Sequence, residues 1–314
     1  MNTNALIKSD VSMVQSKLTE DLFERWIAYI DATPKTVDTY RKALKHFFVH
    51  QLNHCDNVDS PTREDIVNYR NALKEEHKPT TVQLYMTAVK LFFQWTALEG
   101  IYPNIAEHIK GAKLDSTHKK DYLTTRQVQK LLASVDRSSL TGKRDYAMLC
   151  LMVTTGLRTI SVIRADIADL RTVGDNAVLY YQGKGHEEKA DYVKLGCEVE
   201  TAIREYLIER GTADGNAPLF VSAANKNSGE RLTTRSISRI AKERLKSAGF
   251  DSERLTAHSL RHTAATLNLL SGGTLEETQQ LLGHASVNTT MIYSHALNRA
   301  KNNSELRITK AIFG

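Results

Sequence analysis

Six side chains in the second half of the sequence have the chemistry for a single reaction. They are Arg158, Lys184, His258, Arg261, His284 and Tyr293. Arg158 follows a glycine break in Thr155-Gly156-Leu157-Arg158, and Lys184 stands in the turn Gly183-Lys184-Gly185. Taken singly, each has an ordinary structural role: a salt-bridged arginine, a solvated turn lysine, a capping histidine, a core tyrosine. Taken together they suit in-line attack on a phosphodiester without a metal. Guanidinium forks pair with two phosphoryl oxygens and offset charge developing on a pentacoordinate phosphorus. A tyrosine is an oxygen nucleophile once its proton is removed. A lysine on a turn can protonate the departing alkoxide.

On a helix, His258 and Arg261 project from adjacent positions of one face. Leu260, Ala264, Leu267 and Leu270 lie roughly opposite and are expected to pack. His262 follows His258 by four residues, which is zinc-helix spacing, but Ser259 stands where a zinc protease needs Glu. No metal and no cofactor are expected.

The elements around these residues follow from patterning. From Pro34 to His50 the apolar face is Val37, Tyr40, Leu44, Phe47 and Phe48, with Lys35, Lys42, Lys45 and His46 opposite. Thr62 and Asp65 form a capping box for a further helix. A helix opening at Pro79 is expected to bury Leu84, Ala88, Leu91, Trp95 and Leu98, and a short one is expected over 104–110. The polar stretch 110–121 reads as a linker. Beyond it come a capping box at Thr124 and an apolar helix over 144–153. Strand candidates at 169–172, 177–182 and 191–195 follow. Helices are then expected over 199–210, 234–248, 259–270 and 275–282.

The chain has 314 residues and a net charge of +6. Residues 1–115 carry 14 basic and 15 acidic side chains, so the whole basic excess lies beyond them. A mild excess is compatible with nucleic acid and does not establish it. No stretch reaches the roughly 18 unbroken apolar residues of a membrane helix. No signal peptide is evident. Cys55, Cys150 and Cys197 read as reduced thiols of a cytoplasmic protein.

The four motifs TGLR, GKG, HSLRH and LLGHASVNTTMIY, in that order and spacing, resemble those of the tyrosine recombinase (phage integrase) family. The resemblance covers roughly residues 18–300. It implies a mainly α fold with a small β-sheet: a helical N-terminal core-binding (SAM-like) domain plus a mixed α/β catalytic domain. The corresponding boundaries are 1–17 for an N-terminal extension, 18–110 for the core-binding domain, 111–121 for the linker and 122–314 for the catalytic domain with its tail. The two domains would grip double-stranded DNA from opposite sides.

By the same resemblance, Arg158 and Arg261 clamp the scissile phosphate and Tyr293 forms a 3′-phosphotyrosyl link. Lys184 protonates the 5′-oxygen, His258 is the general base and His284 bonds a non-bridging oxygen. Lys35, Lys42, Lys45 and His46 become candidate phosphate contacts. The chain departs from the pattern at Ser161, where the family commonly has an acid; Asp166 is the candidate substitute. The implied activity is site-specific strand exchange, in mobile-element integration and excision or in dimer resolution of the Xer type. A type IB topoisomerase-like enzyme and a catalytically silent DNA-binding regulator are the alternatives. Implied partners are DNA, a tetramer of the chain itself with exchange of the C-terminal tail, and a directionality factor. No membrane is implied. The extension ahead of the first helix is too short for the arm-binding domain of larger phage integrases.

Overall fold

The computed structural model of the chain describes residues 20–55, 60–114, 121–183, 188–212, 214–284, 286–287, 289–293 and 302–314. The chain divides into two compact units, residues 1–117 and 118–314.

The first unit has helices Glu20–Tyr29, Pro34–His54, Arg63–Glu76 and Pro79–Leu98. Their starts are written locally. Thr33 accepts from the Thr36 amide with Pro34 in the first turn, and Thr62 and Asp65 cap each other reciprocally. The core holds Trp26, Leu44, Phe47, Ile66, Tyr69, Met86, Phe92 and Phe93. Aromatic edges fill it, with Phe47 and Tyr69 5.1 Å apart and Trp26 and Phe92 5.6 Å apart.

Two expectations for this unit are corrected. The Pro79–Leu98 helix turns Val82, Met86, Val89 and Phe93 inward beside Ala88, Phe92 and Trp95. Leu84 is 36% exposed and Leu98 68%. The buried band is broader than the expected stripe: it keeps Ala88 and Trp95 and adds Val82, Met86, Val89, Phe92 and Phe93, which leaves Leu84 and Leu98 at its outer edge. Residues 104–110 form turns, not a helix. His108 adopts φ 58°, and Arg63 donates to the Glu107 carbonyl at 2.5 Å.

The second unit is built on the Leu140–Thr155 helix, whose residues from Ala147 to Val153 are all buried. The Cys197–Arg210 and Ala257–Leu270 helices pack against it. Helices Thr125–Ala133, Thr159–Arg164, Thr234–Ser247 and Leu275–Leu282 complete this part of the unit. Thr124 and Thr274 carry the expected capping boxes. Three strands, β1 (Leu170–Val173), β2 (Asn176–Tyr181) and β3 (Asp191–Lys194), form an antiparallel sheet in that order. Leu170 faces Leu179, and Tyr181 faces Asp191. Asp145, 2% exposed, accepts bonds from both Arg144 and Arg244 and ties the central helix to Thr234–Ser247. The packing face expected for Ala257–Leu270 holds at Leu260 and Ala264, but Leu270 is 45% exposed at its end. A last helix, Ser304–Phe313, has no buried residue.

Candidate active site

The site begins at Gly156. It ends the Leu140–Thr155 helix in the left-handed region, at φ 64°. A Cβ there would lie 2.8 Å from Leu282 Cδ2 and 3.3 Å from Ala264 Cβ. Glycine therefore serves both the backbone angle and the close approach. The reversal buries Leu157 and delivers Arg158 as the N-cap of Thr159–Arg164.

The Gly156 carbonyl accepts from one Arg261 nitrogen at 2.6 Å, and the Leu282 carbonyl accepts from the other at 2.6 Å. Arg261 is only 4% exposed. The two carbonyls fix the plane of the guanidinium and use two of its five N–H groups. Arg158, His258 and Arg261 line one cleft of about 150 Å³, which also takes in Ser238 and Thr256. Burial first, and then the charge of Arg158, lower the Arg261 pKa to about 10. The acids of the neighbouring elements are engaged elsewhere: Asp145 with Arg144 and Arg244, Asp166 with Lys189 and Arg231. Two cations held close in a cleft make a site for an anion.

Tyr293 is the last described residue of the helical run 289–293 and is 4% exposed. Burial raises its pKa, against the pull of Arg261 and Arg158. Its hydroxyl lies 2.6 Å from His262 Nδ1. The general base expected by resemblance is His258, but the phenol lies on the histidine one helical turn further on. His258 is exposed on the cleft, and its ring meets that of His262 edge-on, with centroids 4.5 Å apart. The four-residue spacing shows that both rings share a helix face. Only the placement of Tyr293 shows which ring it meets.

His284 follows Gly283, which caps Leu275–Leu282 in the left-handed region at φ 56°. Its carbonyl accepts from the Gln279 side chain at 2.9 Å, and its Nδ1 lies 2.9 Å from the hydroxyl of fully buried Thr290. Burial, then Arg261, Arg158 and His258, lower its pKa to about 4. The ring is thus neutral near pH 7 and bonds as an imidazole.

The structure therefore brings Arg158, His258, Arg261, His284 and Tyr293 together. Lys184 lies outside the described residues. Lys189, five residues later, binds Asp166 at 2.6 Å and Asp169 at 2.5 Å. Asp166 is committed to Lys189 and Arg231. Ser161, where the family acid is expected, donates to the Gln182 carbonyl at 3.2 Å, and Arg164 bonds the Gln182 side chain at 2.8 Å. Hydrogen bonds to the end of the β2 segment thus stand at the acid position. Tyr181, the last residue of β2, has its hydroxyl 3.2 Å from where a Gly283 Cβ would sit. It also feels the charges of Arg158 and Arg261. Sequence reasoning missed the contacts of Tyr181, Thr290 and His262; Thr290 shares a motif with its partner His284, but spacing alone does not show which side chains touch.

In the first unit Lys35 and Lys42 are exposed, Lys42 with Asp38 at 2.7 Å, and Lys45 is half-buried. His46 is not on an open face. Its Nδ1 lies 3.0 Å from the Tyr69 hydroxyl and its ring 5.1 Å from that of Tyr85. The Arg63–Glu76 and Pro79–Leu98 helices supply those two rings.

Comparison with known proteins identifies the family. Residues 121–299 match the phage integrase family, and residues 23–100 match the phage integrase N-terminal SAM-like domain. The chain is 32% identical to tyrosine recombinase XerC of Herpetosiphon aurantiacus, over 88% of this chain and 90% of that protein. It is 30% identical to tyrosine recombinase XerD of Listeria innocua, over 88% and 93%. Among solved structures, XerH site-specific recombinase in a post-cleavage complex with palindromic difH substrate superposes with TM-score 0.71 at 22% identity, covering 88% of this chain and 78% of that one. A lambda integrase dimer bound to a COC′ core site gives 0.67 at 20% identity, covering 86% and 94%. These two likenesses are of fold.

Proposed function

Because this chain belongs to the phage integrase family of tyrosine recombinases, it is a site-specific DNA recombinase, and we propose that it works through Tyr293. The phenol oxygen attacks the scissile phosphate, a 3′-phosphotyrosyl bond forms and the bond to the 5′-oxygen breaks. Arg158 and Arg261 hold the non-bridging oxygens, and each such donor is worth about 10²–10³ in rate in preorganised sites. The neutral His284 ring, with Nδ1 taken by Thr290, offers Nε2 to the same group. Lys184 supplies the proton to the 5′-oxygen; Lys189 is already held by two carboxylates. His258, which lines the cleft beside the arginines, is the proposed further phosphate contact. The covalent link conserves the phosphodiester energy, so rejoining is the reverse transfer.

The observation that carries this reading is the shared cleft of Arg158, His258 and Arg261, with the Tyr293 phenol under the electrostatic influence of both arginines. The test is a DNA substrate nicked close to the cleavage point. Wild type traps a covalent protein–DNA adduct on a denaturing gel and Tyr293→Phe does not. An adduct surviving in Tyr293→Phe refutes the assignment.

Double-stranded DNA is the substrate of this reading, with residues 18–110 as the core-binding domain and 122–314 as the catalytic domain. Lys35 and Lys42, exposed on their helix, are the proposed phosphate contacts of this domain. The C-terminal helix docks on a second protomer of a tetramer: Leu306, Ile308, Ile312 and Phe313 are 59–81% exposed on it. Removing residues 305–314 is expected to weaken synapsis more than cleavage; equal loss of both would count against docking.

A further inference from the structure

From the 2.6 Å contact between Tyr293 Oη and His262 Nδ1, we infer that His262, not His258, takes the proton of the nucleophile. The inference rests on the reading of Tyr293 as nucleophile. Both partners are buried, each 4% exposed. Their rings lie 5.3 Å apart and tilted by 50°, which leaves the hydroxyl in the reach of the imidazole edge. The His258 ring meets the His262 ring edge-on, and His258 is exposed where it lines the cleft. The two histidines thus divide the work by depth: the outer one meets the phosphate and the inner one meets the nucleophile.

The protonation states follow. Nδ1 accepts only if the resting imidazole carries its proton on Nε2. In cleavage the Oη–H bond breaks, the proton passes to Nδ1, the Oη–P bond forms and the P–O5′ bond breaks. The 5′-oxygen takes its proton from Lys184. In rejoining the 5′-hydroxyl attacks, the P–Oη bond breaks and Nδ1 returns its proton to Oη. Among the described residues, Arg261 and Arg158 act on the Tyr293 phenol, and the His258 ring meets that of His262. A bound phosphodiester offsets the two guanidiniums, so a proton passed to Nδ1 meets less repulsion with DNA in the site. A phenol whose own pKa is raised by burial needs such a base more than an exposed one would.

The test is single-turnover adduct formation on the nicked substrate, read against pH, with His262→Asn and His258→Asn. Asn at 262 keeps a polar atom near the Nδ1 position but cannot accept the proton. Loss of a general base costs roughly 100-fold or more, so His262→Asn should fall by that factor and regain rate at high pH. It should also regain rate when Tyr293 is replaced by a fluorinated, more acidic tyrosine. An undiminished rate and unchanged pH profile in His262→Asn would overturn the inference, and so would a loss that neither remedy restores. If His258→Asn alone shows the loss with both remedies, His258 is the base. Should His262→Asn not fold, wild type decides. With ¹⁵N-histidine labelling, the imidazole that contacts the Tyr293 ring must show an unprotonated Nδ1, and a protonated one refutes the role. Tyr293→Phe runs alongside: an adduct there sinks the nucleophile assignment itself, a separate outcome.

Discussion

Substituting Gly156 by Ala tests the elbow on which the whole site is hung. Three effects add. An L-residue held at φ 64° costs about 1–2 kcal/mol. A methyl placed 2.8 Å from Leu282 Cδ2 and 3.3 Å from Ala264 Cβ must be accommodated by repacking, at about 1–3 kcal/mol. Stiffening the unfolded chain returns about 0.4–1 kcal/mol. The net loss is about 1–5 kcal/mol, which for a domain of this size lowers Tm by about 2–4 °C per kcal/mol. Gly174 is the control. It sits at φ 58° with nothing near its Cβ position, so Gly174→Ala carries the backbone strain alone. The difference between the two variants, about 1–3 kcal/mol in calorimetric or urea unfolding, isolates the packing clash. Adduct formation should fall only for Gly156→Ala, because the Gly156 carbonyl holds Arg261. Equal stability losses in both variants, or full cleavage activity in Gly156→Ala, would refute the close approach.

Further outcomes follow from the same geometry. Asp145→Ala strands Arg144 and Arg244 without their shared carboxylate and should cost about 3–5 kcal/mol, measured by urea unfolding. Thr290→Val removes the hydroxyl on His284 Nδ1; loss of about 1 kcal/mol of orientation predicts a several-fold slower adduct with unchanged DNA affinity. His46 and His50 have pKa values lowered by burial first and by neighbouring histidines next. Above the ordinary histidine pKa both states are neutral and stability is flat. As pH falls below it, the unfolded chain takes up protons first, and stability drops until the lowered native values are passed. Unfolding midpoints of the first unit should therefore fall between neutral and mildly acidic pH, and His46→Phe should flatten the slope.

Sequence alone determined the parts that are local. Capping boxes at Thr62, Thr124 and Thr274 and the helix-breaking glycine at 156 are written in neighbouring residues, and they appeared in the structure where they were expected. Motif order also named the polar residues of the site, since the chemistry of a phosphate clamp restricts residue types at fixed spacing. Tertiary structure decided what depends on a partner distant in sequence. On the Pro79–Leu98 helix, only packing decided that Val82, Met86, Val89 and Phe93 are buried beside Ala88 and Trp95 while Leu84 and Leu98 are exposed. His46 was drawn among rings supplied by two other helices. Ser161 replaced an expected acid with hydrogen bonding to the β2 segment. Which of two histidines meets Tyr293 depends on how residues 289–293 dock against Ala257–Leu270, because both rings share one helix face and only depth separates them. Spacing along a helix fixes direction, and the approach of a second element fixes which side chain in that direction is touched.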